Sequence, residues 1–246
     1  MFLSIDRRKV GAYLLHVLFP RTCCHCRRDI HYLENRPLCR ACGGGLEIMP
    51  EIHCRICGLP LPHGGAHCFD CRGTGARARR CRPIRAAFVF NPQLRSVLHS
   101  YKYAARPELA VHLGEFLCRA WDRYEEIHEH RFLVPVPLAP KRERERGFNQ
   151  SGLLAEILAR EKGLAFLEGV LERARETGSQ TRLSKTRRRE NVEEAFRVLL
   201  PERAKGKKIL LVDDVCTTGA TLEACAAELK KAGAISVAAL VLAREP

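Results

Sequence analysis

Two patterns in this 246-residue chain carry recognisable chemistry. The first is the run Ile209-Leu210-Leu211-Val212-Asp213-Asp214-Val215-Cys216-Thr217-Thr218-Gly219-Ala220-Thr221. An apolar stretch ends in two adjacent acids, a small polar loop follows, and a helical pattern begins. A helix N-terminus offers backbone N–H groups without intrahelical partners and a dipole that favours an anion. Thr217, Thr218 and Thr221 add hydroxyls there, while Gly219 and Ala220 keep the backbone open to close approach. Asp213 and Asp214 are placed to accept hydrogen bonds from sugar hydroxyls. A phosphate at one end and a diol at the other describe a ribose 5-phosphate. No G-x-x-x-x-G-K-[ST] run occurs, and no G-x-G-x-x-G follows a strand, so the commoner nucleotide motifs are excluded.

The second pattern is four C-x-x-C pairs: Cys23/Cys26, Cys39/Cys42, Cys54/Cys57 and Cys68/Cys71, separated by 12, 11 and 10 residues. Two residues between cysteines let one tight turn present both sulfurs to a single ion, and two turns complete a tetrahedral thiolate site. The expectation is two structural zinc ions. Sequential pairing is the simplest scheme, and a cross-braced one fits the spacing too. Such a closed site leaves no position for water and performs no chemistry. It stabilises a segment too small to fold alone. Glycines near Cys42, Cys57 and Cys71 suit the positive φ of knuckle turns. His25 and His67 read as turn residues. The total of 13 cysteines is odd, which excludes a full set of disulfides and points to a reducing compartment. Cys24, Cys81, Cys118, Cys216 and Cys225 read as core fillers, with Cys216 the one placed beside the acid pair.

The elements that position these groups follow from hydrophobic period. Segment 21–83 is rich in Cys, Gly, Pro and His and reads as a double zinc-ribbon module. From residue 84 to 246, strand and helix patterns alternate: a strand over Ile84–Phe90, helices opening at Pro92 and Pro107, a strand over Arg131–Val136 and a helix over Ser151–Ala159. Further strands are expected at Phe196–Leu200, Lys208–Val212 and Ile235–Leu242, with a helix over Ala220–Lys231 between the last two. That order gives an α/β fold with an open, mainly parallel sheet, in which ligands bind beyond the carboxyl ends of the strands. Residues 1–20 read as a short amphipathic helix packed on the rest. Its apolar stretch, Val10 to Phe19, is about half of what a bilayer span needs, so no transmembrane segment is expected and the chain is expected to stay in the cytoplasm. The hydrophobic fraction of 46% excludes a disordered chain, and the net charge of +14 favours polyanionic partners.

Three further segments extend the pattern. Val136 and Pro137 close a strand and lead into Lys141, Arg142, Arg144 and Arg146, then Gly147-Phe148-Asn149-Gln150. Gln180-Thr181-Arg182-Leu183-Ser184 leads into Arg187–Arg189 and Asn191, and Tyr101-Lys102-Tyr103 lies upstream. With the cysteine module, these segments resemble the ComF family, a double zinc ribbon joined to a type I phosphoribosyltransferase domain. The resemblance implies that phosphoribosyl pyrophosphate binds with Mg²⁺ and that phosphoribosyl passes to a nitrogen acceptor. Asp213 and Asp214 would hold the ribose as catalytic groups. Thr217, Thr218, Gly219, Ala220 and Thr221 would hold the 5-phosphate, and Val136, Pro137, Arg142, Arg146 and Lys102 the pyrophosphate. Residues 180–191 would form a mobile cover. The family name ties the chain to competence and the import of single-stranded DNA, with DNA-uptake proteins as partners. Tyr101, Tyr103 and Phe148 are then candidates to stack on bases. A non-catalytic single-stranded DNA-binding or phosphoribosyl pyrophosphate-sensing protein is the alternative.

Overall fold

The computed structural model describes residues 7–73, 78–104, 106–174 and 195–246, the side chains of residues 7–9 and 12 excepted. The expected cover over residues 180–191, with its basic run Arg182–Arg189, lies outside the described residues, as does Arg77 of the basic run Arg77–Arg82.

Five parallel strands form the main sheet in the order β1-β7-β6-β2-β3. They are β1 (Cys81–Val89), β2 (Phe132–Pro135), β3 (Ala165–Phe166), β6 (Lys208–Cys216) and β7 (Ser236–Arg244). β6 is central because Ile209, Leu210, Leu211 and Val212 are all fully buried, as a strand covered on both faces requires. A one-turn helix, α7 (Pro201–Ala204), precedes β6, and α8 (Ala220–Lys231), which follows it, covers one face. Helices α3 (Pro92–Tyr103), α4 (Leu109–Arg123) and α6 (Gln150–Lys162) cover the other. Asn91 and Asn149 fix the starts of α3 and α6: each side chain accepts an N–H of the first turn, from Leu94 and Ser151.

Several boundaries differ from those the sequence predicts. β1 starts at Cys81 rather than Ile84, since Cys81 already pairs with Val237. β6 and β7 end four and two residues beyond the expected strands, because inter-strand pairing continues through Asp213 to Cys216 and through Arg244, and β7 starts one residue later, at Ser236. The strand at Phe196–Val198 (β5) leaves the main sheet. It pairs antiparallel with a short strand, β4 (Leu171–Arg173), that the sequence pattern does not announce. The charged run after Pro137 forms a helix, α5 (Pro140–Arg146), closed by Gly147 in the left-handed region.

The amino-terminal helix α1 (Arg7–Leu18) corrects an expectation. It does not bury an apolar face: Leu14, Leu15, Val17, Leu18 and Phe19 are all exposed. Tyr13 meets the ring of Tyr32 edge-on at 5.6 Å. Apolar residues surround most of this short helix, so no single stripe faces the sheet. Among the described residues, no helix is long and apolar enough to cross a membrane.

The two ribbons lie against opposite faces of the sheet. Cys23, Cys24, Ile30 and Leu38 of the first join the core that contains α3, α4 and α6. Cys54, Cys57, Cys68 and Cys71 of the second join the core that contains α8.

Candidate functional site

At the carboxyl end of β2 the last pair is Pro135 with Val212, so Asp213 and Asp214 emerge where β6 outruns β2. Val136 still donates its N–H to Val212 O at 3.0 Å, which holds the turn at Val136–Pro137 against β6. Asn149 Nδ2 donates to Val136 O and so ties that turn to the start of α6. Ser151 Oγ donates to Asp213 Oδ1 at 2.9 Å, as does the Asp214 N–H. Lys102, on the last turn of α3, pairs with Asp214 Oδ2 at 2.7 Å. Asp213, Asp214, Lys102, Val136 and Pro137, far apart in sequence, therefore meet at one strand end.

The electrostatics are uneven. Burial raises the Asp213 carboxyl to about 7, and the adjacent Asp214 pushes the same way; Ser151, the Asp214 N–H and Lys102 oppose them. Burial opposes the charge of Lys102, but Asp214 outweighs it and raises the ammonium pKa above its ordinary value. Burial lowers the pKa of Arg146, whose guanidinium lies 5.3 Å from the Tyr103 ring centre. Arg142 is exposed on α5, one turn before Arg146. A buried acid whose pKa is raised, beside a second acid held by a cation, is the kind of perturbed pair found at functional sites.

The loop that follows has the predicted form. Gly219 is the N-cap of α8 with φ of 80°, a conformation that a residue with a Cβ rarely adopts. The Ala220 N–H is already engaged, donating to Thr218 Oγ1 at 3.3 Å, while the Thr218 hydroxyl keeps its own proton to donate. Thr217 is exposed and Thr221 half-buried. Cys216 is buried, and burial pushes its thiol up to about 11, which disfavours the thiolate and suits a core residue.

Of the three aromatics considered for stacking, Tyr101 is core. It is fully buried, and its hydroxyl donates to Gln150 O at 3.0 Å. Phe148 packs against it with ring centres 5.5 Å apart. Tyr103 alone is open, at 69% exposure.

Sequence reasoning did not single out Ser151 or Arg173. Ser151 directly follows the Gly147–Gln150 segment, so its position in the motif was the available signal. Arg173, at the end of β4, is placed near Asp213 and Arg142 only by the fold.

Both cysteine groups converge in sequence order. The ligand sulfurs of Cys23, Cys26, Cys39 and Cys42 lie within 4.8 Å of one another, as do those of Cys54, Cys57, Cys68 and Cys71. Burial opposes ionisation of Cys23, yet backbone N–H groups of Cys26, Cys39 and His25 donate to its sulfur and bring it down to about 6. Cys54 is brought to about 7 in the same way by Cys57, Cys68 and Ile56. Four converging thiols, one in each group with amides aimed at it, fit a tetrahedral zinc site, and the sequential scheme is the one the fold adopts. Gly58 (φ 68°) and Gly73 (φ 57°) turn as expected, whereas Gly43 lies inside a one-turn helix, α2 (Arg40–Gly44).

Residues 145–246 match the phosphoribosyl transferase domain family, and residues 14–72 match the double zinc ribbon domain family. The chain is 32% identical over 228 residues to the DNA utilization protein YhgH of Salmonella typhimurium, covering 92% of this chain and 97% of that one. It is 31% identical over 213 residues to competence protein ComFC of Bacillus subtilis, covering 84% of each. It is 28% identical over 226 residues to competence protein F of Haemophilus influenzae, covering 90% and 96%. Two cysteine clusters, a parallel sheet with its acid pair and these relatives lead to one conclusion: the chain belongs to the ComF family of double zinc-ribbon phosphoribosyltransferase-domain proteins.

Proposed function

We propose that this protein binds phosphoribosyl pyrophosphate with Mg²⁺ and transfers phosphoribosyl to a nitrogen acceptor. The observation that carries this reading is the juxtaposition at the end of β6: two adjacent carboxylates, then a glycine-turned loop that opens a helix. Asp213 and Asp214 accept the ribose hydroxyls, and their negative charge favours the cationic transition state at the anomeric carbon. Residues Thr217 to Thr221 hold the 5-phosphate. The turn at Val136–Pro137, with Arg146 and Arg142, faces the pyrophosphate. Lys102, which now neutralises Asp214, is within reach of the same region and changes partner when the sugar binds. The anomeric C–O bond breaks with its electron pair leaving on pyrophosphate, and the nitrogen lone pair forms the new C–N bond. Magnesium bound with the substrate would supply charge neutralisation at the departing oxygens, beside Arg146 and Arg142.

Calorimetry with phosphoribosyl pyrophosphate and Mg²⁺ tests the binding step. Charge-assisted hydrogen bonds are worth roughly 1.5–3 kcal/mol each, so Asp213→Ala or Asp214→Ala should each weaken binding by about tenfold or more, and the double variant by more than either. Equal affinity would remove the assigned site. Pyrophosphate release with candidate bases then separates an enzyme from a sensor.

The names of the relatives, DNA utilization protein and competence protein, favour a second role in competence and DNA use; a place in the cytoplasm beside DNA-uptake proteins is part of this proposal. The net charge of +14, and exposed Tyr103 beside Arg146, suit single-stranded DNA. Binding should fall with salt at a log–log slope of about −0.7 per phosphate neutralised. No binding at low salt would leave the small-molecule reading alone.

A further inference from the structure

Arg244, the last residue of β7, is a buried cation at 5% exposure. Its Nε donates to Cys57 O at 3.0 Å, inside the second zinc knuckle. Its Nη1 donates to Cys216 O at 3.1 Å and to Thr217 O, where the phosphate loop begins. The same nitrogen reaches Glu245 O at 2.8 Å. One guanidinium thus holds together the turn that carries a zinc ligand and the loop that opens α8.

A second arginine spans the same gap. Arg79, its side chain 10% exposed, pairs with Glu223 of α8 at 3.6 Å. The Cys71 and Cys57 thiols flank it. Its Nη1 lies 3.6 Å from where a Cβ on Gly219 would stand. Ile84 makes a third link: its N–H donates to Ile56 O of the knuckle, and its Cδ1 lies 3.7 Å from that same Gly219 position. The acceptors of Arg244 are all carbonyls, which supply dipoles and no full negative charge. Four thiolates outweigh the two charges of a zinc ion, so a filled second centre is net anionic. It supplies the counter-charge that a buried guanidinium needs.

We infer that Arg244 and Arg79 are positioning residues that make the second zinc ribbon a structural wall of the phosphate loop, so that zinc in that ribbon and phosphoribosyl pyrophosphate at the loop stabilise each other. The inference rests on the binding reading above. Among the described residues the first ribbon has no such link to the phosphate loop, because it lies on the opposite face of the sheet. Coupling between two sites is reciprocal, and typical values correspond to about 5- to 150-fold in affinity.

Zinc release to a chromogenic chelator is the readout, with and without phosphoribosyl pyrophosphate and Mg²⁺. Cys26→Ser keeps only the second zinc, and phosphoribosyl pyrophosphate should slow its loss by about fivefold or more. Cys57→Ser keeps only the first, and its loss should not change. Arg244→Met should retain two zinc ions and lose the protection, with Arg244→Lys restoring part of it. Equal protection of both ions, or full protection in Arg244→Met, overturns the inference. If calorimetry shows that the unmodified protein does not bind phosphoribosyl pyrophosphate, the binding reading fails first. Hydrogen exchange at residues 216–221 then decides the coupling alone: removing the second zinc should speed exchange there, and unchanged exchange overturns it. If Arg244→Met does not fold, Arg79→Gln takes its place in both measurements, with the same outcomes deciding.

Discussion

The two zinc ribbons repeat one backbone scheme in different surroundings. The Cys23 N–H donates to Arg28 O as the Cys54 N–H donates to Leu59 O. Arg27 and Gly58 close the equivalent turns through Cys23 O and Cys54 O, both with positive φ. The Cys24 N–H reaches Pro37 O as the Arg55 N–H reaches Ala66 O. Yet Cys26 is exposed and Cys39 and Cys42 half-buried, whereas all four sulfur ligands of the second ribbon are buried. The first ribbon meets solvent and the helical face, while the second is enclosed by β1, the end of β7 and α8. The same local motif is thus a peripheral brace in one place and part of the core in the other. What differs is not the knuckle but what stands across from it.

The largest expected effect tests that difference directly. Structural zinc contributes on the order of 10–16 kcal/mol to small zinc modules, and that free energy is folding free energy. Cys57→Ser and Cys26→Ser should each lower zinc content from two ions to one. Cys57→Ser should also cost the larger drop in thermal midpoint, since the core around β1 and α8 loosens with it. Equal drops in the two variants, measured by calorimetric melting, would erase the distinction between the ribbons.

Next in size is Gly58→Ala. A Cβ there would stand 2.6 Å from Ile84 O, a backbone atom of β1, and φ is 68°. Neither β1 nor the knuckle has room to move, because Ile84 N–H is bonded to Ile56 O. Overpacking of this kind typically costs about 1–3 kcal/mol, with backbone strain added. Denaturant unfolding should show a loss in that range. A change under about half a kcal/mol would mean that ribbon and strand are not in rigid contact.

How much of this was legible in the sequence depends on whether the signal is local. The cysteine spacing and the Asp213–Thr221 run are local, and both predicted the geometry that the fold adopts. The apolar core of β6 predicted a central strand because burial on both faces leaves a continuous hydrophobic run. Ser151 as a donor to Asp213, Arg79 beside Gly219 and Arg244 between Cys57 and Thr217 were not legible. Each depends on a register or crossover that brings distant segments together, and a lone Arg or Ser carries no period. The amino-terminal helix misled for the converse reason. An apolar run predicts burial, yet nothing in its own residues says whether a partner surface exists within the chain.

A moderate effect concerns the site beside the second ribbon. Asp213 has an ordinary value of 3.8 and is raised to about 7, by burial first and then by Asp214. Between those values the native state keeps a proton that the unfolded chain gives up, so stability falls as pH rises from about 4 to about 7. Above that the full cost persists. Asp213→Asn still accepts from Ser151 and removes the charge. Its melting temperature should match the unmodified protein near pH 4 and exceed it at pH 8, while affinity for phosphoribosyl pyrophosphate falls. Parallel melting curves across that range would show that Asp213 is not held away from its charged form.

The smallest effect returns to the turn where the ribbons differ in sequence but not in backbone. Arg27 takes φ of 62°, where Gly58 takes 68°. An L-residue in that region gives up roughly 1–2 kcal/mol relative to the right-handed form, and glycine does not. Glycine in turn loses more chain entropy on folding, about 0.5–1 kcal/mol. The two terms nearly cancel, so Arg27→Gly should change stability by less than about 1 kcal/mol in the stabilising direction. Arg27 is exposed, whereas Gly58 stands against Ile84 of β1. A small gain for Arg27→Gly beside a clear loss for Gly58→Ala, read from matched urea midpoints, would separate turn conformation from tertiary contact. A large loss for Arg27→Gly would instead show that the Arg27 side chain fixes the first ribbon.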